Sequence, residues 1–229
     1  MNRLYLVRHG EGWANVSKEF SYKIVDYSLT PKGILQAQQT AAFFKAHRKD
    51  YPVDEIYASP LRRAQETAWM IAEALGLGVE TIEDFRELNI GNLEGQPYSK
   101  EIWETHDRVI ANWFDGHPEV HFPGGENYPE MLERMRRGLS GVVAGKDGRN
   151  ILIVAHAAII TFPLKDLCDN VDPVWLFHQR NQNCSITEIE AAMIDGNFKA
   201  RLLAFARSEH IHGIAAAFEQ IHPVELRKE

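Results

Sequence analysis

Cysteine is scarce: the chain holds only Cys168 and Cys184, too few for a disulfide framework and in no metal-type spacing, so both read as buried free thiols. Long apolar runs are lacking as well. The first, Leu4 to Val7, stops at Arg8 and His9, so no secretory signal is read at the N-terminus. The longest, Ile151 to Ile160, is interrupted by His156 and falls short of the ~20 apolar residues a membrane span needs. These absences predict a soluble, cytoplasmic protein with no membrane partner. Excess basic charge is missing too. With 25 Lys and Arg against 32 Asp and Glu, the net charge of −7 disfavours a surface devoted to nucleic acid or anionic lipid. Any phosphate-bearing partner must then be held by a local site. There is no internal repeat and no low-complexity segment, and 45% apolar with 25% charged residues is an ordinary globular composition.

What is present is an alternation of short continuous apolar runs with longer stretches of helical periodicity. That pattern predicts an α/β fold, a mostly parallel sheet covered by helices on both faces. Strands are expected at about 3–7, 55–58, 79–82, 151–155, 185–190 and 201–206. Thr30-Pro31 supplies a capping hydroxyl followed by proline at the first helical position, and the stripe Ile34, Ala37, Ala41, Phe44 is expected to face inward. Ser59-Pro60 repeats the device, with the stripe Leu61, Ala64, Ala68, Ile71 or Ala72, Leu75 running to Gly76. Further helices are predicted over about 100–114 and 129–143, and another after His156 that Pro163 must start or kink. The chain reads as a single domain, 1–229, with an insertion at about 92–122 over the sheet and a C-terminal tail from about 208, helix-like over 211–218.

The first strand runs directly into Arg8-His9-Gly10-Glu11, and ligands bind in the crevice beyond the carboxyl ends of such strands. An imidazole there can be a nucleophile facing an anion, although taken alone the dipeptide reads better as a surface His beside a surface Arg. Two further features change the balance. The run 151–155 ends in His156, and Arg62-Arg63 lie where a helix starts after another strand, a place that suits phosphate through free backbone N–H groups and guanidinium forks.

These residues resemble the signature of the histidine phosphatase superfamily, the phosphoglycerate mutase-like enzymes. Leu6-Val7-Arg8-His9-Gly10-Glu11 with Asn15 opens the match. It continues in order through Asp26, Leu29-Thr30, Gly33, Gln36-Ala37, Ala58 to Ala64 with Thr67, Glu87, Gly91, Leu93-Glu94-Gly95, Pro123 to Glu126, Val154-Ala155-His156 and Asn183-Cys184-Ser185. The resemblance implies a three-layer sandwich around a six-stranded sheet. It implies that His9 is the nucleophile that becomes phosphohistidine and that Glu87 is the general acid and base. Arg8, Asn15, Arg63 and His156 would bind the phosphoryl group. It implies no metal and no cofactor.

Physical chemistry suits these roles. Two guanidinium groups disfavour a further positive charge on His9 and so keep it nucleophilic, and phosphoryl transfer asks mainly for alignment and charge neutralisation. Neighbouring arginines oppose the protonation an acid needs, which a bound phosphate dianion would offset; Glu11 and Glu94 compete with Glu87 for the role, Glu11 reading more readily as a loop holder. Helical periodicity does not choose between Arg62 and Arg63, which point ~100° apart, whereas the family pattern favours Arg63. Ala157-Ala158 follow His156 where many relatives carry glycine.

A phosphomonoester hydrolase acting on a small phosphorylated metabolite is therefore expected. A cofactor-dependent phosphoglycerate mutase is the alternative, and a catalytically silent phospho-ligand binding module is a second one. The mutase needs extra cations, but 92–122 offers only Lys100 and Arg108 against six carboxylates. Phe20, Tyr22 and Tyr27, and Tyr98, Trp103, Trp113, Phe114 and Phe122 in the insertion, read either as a wall for the leaving group or as packing. His210 and His212 read as a solvated tail, and His106, His117 and His121 as surface or substrate-side groups. Oligomeric state stays open, a homodimer being allowed.

Overall fold

The computed structural model describes residues 1–216. The strands are β1 (Asn2–Arg8), β2 (Glu55–Ala58), β3 (Val79–Thr81), β4 (Asn150–Ala155), β5 (Ile186–Ile194) and β6 (Asn197–Arg207). The helices are α1 (Trp13–Ser17), α2 (Pro31–Ala46), α3 (Arg62–Leu75), α4 (Lys100–Phe114), α5 (Tyr128–Val143), α6 (Ala157–Thr161), α7 (Leu164–Leu167) and α8 (Pro173–Phe177). One sheet has the order β3-β2-β4-β1-β5-β6. The first four strands in that order pair in parallel, β5 runs against β1, and β6 runs against β5, so only β5 is reversed.

Side chains alternate across a strand, and the two central strands divide accordingly. Leu4 and Leu6 of β1, with Ile151 and Ile153 of β4, join the core formed by Met131, Met135 and Leu139 of α5. Tyr5 and Val7, with Leu152 and Val154, face the opposite way onto Phe44 of α2 and Ala64, Ala68 and Ile71 of α3. Because both faces are covered, these strands carry apolar residues without interruption. This is the three-layer α/β sandwich expected from the sequence, and all six strands overlap the segments it predicts.

Local details correct some expectations. Thr30 does cap α2, its hydroxyl accepting from Gly33 N at 3.0 Å. Ile34, however, is partly exposed while Gln36 and Thr40 are buried. The face is rotated because Gln36 is drawn inward, accepting from Glu11 N at 2.8 Å. Ser59 does not cap α3. That helix starts at Arg62 with Leu61 before it, and the Ser59 hydroxyl is used elsewhere. Gly76 ends α3 with φ of 72°, a left-handed conformation glycine adopts without strain. Pro163 separates α6 from α7. The tail is not simply solvated: His210 is partly buried, with Nε2 3.1 Å from Thr40 Oγ1 and its ring against Phe43. Gln39 brackets His212, donating to its carbonyl at 3.2 Å and accepting from its N–H at 2.9 Å. Gly213–Ala216 form a short 3-10 turn, and Phe218 with the polar end 227–229 lies outside the described residues.

Candidate active site

Sheet order explains why residues far apart in sequence meet. β4 lies between β2 and β1, with Val154 opposite Ala58 and Ala155 opposite Arg8. The residues just past these three strand ends, Ser59, His156 and His9, therefore come out side by side. The His9 and His156 ring centroids are 5.0 Å apart. The nucleophile loop is pressed against the start of α2. A Cβ on Gly10 would lie 2.5 Å from Gly33 O and one on Gly33 2.0 Å from Glu11 O, so both glycines are required by close approach.

His9 is 2% exposed. Its Nδ1 lies 2.6 Å from Gly10 O. A carbonyl only accepts, so Nδ1 carries the proton and Nε2 presents its lone pair, toward which Arg63 Nε donates at 3.1 Å. Arg63 is held by Ser21, with Nη1 on its hydroxyl at 2.7 Å and Nη2 on its carbonyl at 3.0 Å. Arg8 Nη1 donates to Asn181 O, while its buried Nε has no partner among the described residues. His156 is fully buried; its Nε2 is 2.7 Å from Ser59 Oγ and its Nδ1 is likewise without a partner. Burial, followed by Arg63 and then Arg8, holds His9 well below the ordinary imidazole value. Burial and the same arginines, with His9 and Arg134 contributing, do so for His156. Burial pulls Arg63 down to about 10, opposed by Glu87, so it stays charged near neutrality.

A cavity of about 580 Å³ opens from this cluster, lined by Arg8, His9, Asn15, Arg63 and Glu87, with the His156 ring next to that of His9. Five of the six residues singled out from the sequence thus share one wall. Asn15 Oδ1 accepts from Gly12 N at 2.9 Å. Glu87 Oε1 accepts from Leu88 N at 2.9 Å and from Ile159 N at 3.3 Å. Its competitors are engaged in other contacts, Glu11 while also lining the cavity. Glu11 accepts from Thr30 Oγ1 at 2.7 Å and pairs with Lys32 at 2.8 Å. Glu94 Oε1 gathers the backbone N–H groups of Tyr22, Lys23, Ile24 and Val25 within 3.1 Å, a clamp on the 20–27 loop. Arg63 is buried and lines the cavity, whereas Arg62 is exposed in an ion pair with Glu66.

The aromatic residues divide between the two readings. Trp113 and Phe122 are core, at 2% and 0% exposure. Phe20 and Trp103 line the cavity with His106, Phe20 tilted against Trp103 with centroids 4.6 Å apart and stacked on His106 at 4.9 Å. Trp103 Nε1 donates to Lys18 O, tying α4 to the loop after the nucleophile. Tyr27 binds Glu19, and Tyr98 lies under Lys18. His106 Nδ1 meets Asp107, whereas His117 and His121 are exposed. Sequence reasoning missed Ser59, Ser21, Asn181 and Arg134 as partners of the site. Ser59 and Ser21 stand inside or beside quoted motifs, but nothing in their spacing marks the bonds they make. Among the described residues, no group of three His, Cys, Asp or Glu is arranged to hold a metal ion, and no helix is long and apolar enough to cross a membrane.

Residues 4–202 match the family model for the histidine phosphatase superfamily, branch 1. The chain is 34% identical over 190 residues to a Hydrogenobacter thermophilus protein named as a phosphoserine phosphatase, covering 82% of this chain and 89% of that one. It is 31% identical over 193 residues to an Erwinia tasmaniensis protein named "Probable phosphoglycerate mutase GpmB", with 83% and 85% covered. Among solved structures it is similar to a phosphoserine phosphatase from Entamoeba histolytica, with TM-score 0.72, 26% identity, and 93% and 100% of the two chains covered.

Proposed function

The chain belongs to the histidine phosphatase superfamily, and from that premise we propose that it hydrolyses phosphomonoesters of small organic alcohols through a phosphohistidine on His9. The observation that carries this reading is the state of His9. Its tautomer is set by Gly10 O, its Nε2 is turned toward Arg63, and two buried nitrogens of the same cluster, Arg8 Nε and His156 Nδ1, have no partner among the described residues; with Ser59 Oγ donating to His156 Nε2, both would be donors. Buried polar groups are normally paired, and phosphoryl oxygens would pair these.

In the first step, the lone pair of Nε2 attacks phosphorus while the bond to the leaving oxygen breaks. Arg8, Arg63, His156 and Asn15 take the phosphoryl oxygens, and Glu87 gives its proton to the leaving oxygen. Arg63 exchanges its contact with Nε2 for one with the substrate. In the second step, Glu87, now a carboxylate, takes a proton from water as that water attacks phosphorus, and the phosphorus–nitrogen bond breaks to release phosphate and His9. The depressed basicity of His9 keeps it neutral and able to attack near pH 7. All charge compensation is assigned to side chains, so no cofactor is invoked.

We read residues 1–229 as one domain in which 92–122 caps the site, since Trp103, His106 and Ile110 of α4 line the cavity. The cavity volume far exceeds a phosphoryl group, leaving room for a ring-bearing or branched leaving group between Phe20, Trp103 and Phe177 and the polar 178–183 loop. Hydrolysis is favoured over mutase chemistry because the insertion is acidic and, of its cationic side chains, neither Lys100 nor Arg108 lines the cavity. The test is turnover of a chromogenic aryl phosphate between about pH 5 and pH 8, with and without a chelator. Turnover indifferent to chelator is expected. No turnover would remove the phosphatase, loss with chelator would remove the metal-free route, and 3-phosphoglycerate isomerised without phosphate release would favour the mutase.

A further inference from the structure

Glu87 lies on a stretch, residues 86–90, that belongs to no helix or strand, yet a proton donor must be held within hydrogen-bond reach of the leaving oxygen. The support comes from Arg134 on α5, whose five N–H donors are all used there. Nη1 donates to Asp84 O at 2.8 Å and Arg86 O at 2.7 Å. Nη2 donates to Glu87 O at 3.2 Å and Glu126 Oε1 at 2.6 Å, and Nε donates to Glu126 Oε2 at 3.3 Å. Glu126 in turn grips the far side of the same stretch, Oε1 accepting from Asn89 N at 2.8 Å and its own N–H donating to Asn89 O at 2.9 Å. The two side chains are only 14% and 10% exposed. Arg134 does not line the cavity, so it reaches the chemistry through the backbone it holds.

We propose that Arg134, oriented by Glu126, is the positioning residue for Glu87, fixing the main chain from which the carboxyl group meets the leaving oxygen. A planar guanidinium can serve three carbonyls and one carboxylate at once; an ammonium, with three donors on a point, cannot. The inference rests on reading Glu87 as the general acid. Its consequence is specific. Proton donation matters most when the departing oxygen is strongly basic, so displacing Glu87 should slow esters of alkyl alcohols and spare p-nitrophenyl phosphate, whose phenolate leaves unaided. A general loosening of the fold would slow both alike. Arg134 also helps depress His156, but losing that charge would move the acid limb of the pH profile for every substrate equally.

The experiment compares kcat/KM, which reports phosphoryl transfer to His9, across aryl phosphates of increasing phenol basicity and an alkyl phosphate. The full-length variants are Arg134→Lys, Arg134→Met and Glu126→Gln, with Glu87→Gln as reference. Arg134→Lys is expected to lose roughly tenfold or more with the most basic leaving group and about twofold or less with p-nitrophenyl phosphate, reproducing in part the steepened dependence of Glu87→Gln. A uniform loss across the series, or none, would overturn the positioning role. Should Glu87→Gln itself leave the dependence flat, the acid assignment falls, and the role of Arg134 falls with it. If Arg134→Met does not fold, the Lys and Gln variants carry the test, with circular dichroism establishing that they are native.

Discussion

The proposed phosphate pocket and the proposed wall for the leaving group are built in different ways. The pocket hangs from the ends of the two central strands and the start of α3: His9, His156 and Arg63 are each no more than 4% exposed, and His9 and Arg63 hydrogen-bond to each other. The wall is assembled from the 18–27 loop, α4, the 178–183 loop and the tail, and most of its members are partly exposed, Ser21, Ile110 and Ala215 being buried. One region is positioned by β-ladders that cannot slip without turning every side chain to the other face. The other is positioned by side chains that catch loop backbone: Glu94 on residues 22–25, Trp103 on Lys18, Gln36 and Gln39 on the tail. In the proposed reading, rigid framework carries the chemistry and the loops carry the selectivity, a division by which one fold can serve many phosphate esters.

The largest expected effect breaks the pocket at its centre. His9→Ala should lower kcat/KM by about 10⁴-fold or more and abolish acid-labile labelling by a phosphate donor. A labelled variant would move the nucleophile elsewhere. Next, Arg63→Met should cost about 10²–10³-fold through lost charge stabilisation. Because Arg63 lowers the His9 pKa, its removal should also carry the acid limb of kcat/KM upward toward the ordinary imidazole value; an unmoved limb would mean that the limb is not His9.

The wall should respond more gently. Trp103→Phe keeps a ring and loses the bond to Lys18, so it should change relative KM values among bulky and small esters by severalfold while leaving kcat for a small ester within about twofold. An equal loss for all esters would place Trp103 with the chemistry instead. The smallest effect concerns stability rather than turnover. His210 is lowered to about 4, chiefly by burial, so between pH 4 and its ordinary value of 6.5 the unfolded chain binds a proton that the native state refuses. Stability should therefore fall as pH drops through that window, by an upper bound on the order of 3 kcal/mol, and level off below it. His210→Asn should flatten that slope in pH-dependent urea melts; a slope unchanged from the parent would assign it to other groups, His9 and His156 first among them.

The difference between the two regions also governs what could be read without a structure. The central strands β1, β2 and β4 fall at the positions given by apolar runs, because strands buried on both faces leave an uninterrupted signature. The more exposed β3 and β6 leave a weaker one, and β6 starts four residues before its expected position. His9, His156 and Arg63 were legible because each directly follows a strand or opens a helix, where local sequence and tertiary position coincide. Ile34 was misplaced because the α2 pattern admits two neighbouring faces, and a polar residue, Gln36, took the inward one by bonding Glu11 N and Ala215 O. Arg134 was not legible at all: its carbonyl partners lie 47 to 50 residues away, and backbone carbonyls leave no mark in composition.

By itself, then, the chain of residues determined the layered α/β architecture, the family, and the identity of the groups gathered at the strand ends, since all of these follow from local periodicity and short ordered motifs. The tertiary structure alone decided that Glu94 clamps the 22–25 backbone, that Glu11 and Glu87 both reach the cavity wall with Glu11 paired to Lys32, that Trp113 is core and Trp103 is wall, and that an arginine on α5 holds the loop carrying Glu87. Those outcomes depend on which hydrogen-bond partners are brought within reach by packing of distant segments, a property of the folded chain that no window of sequence contains.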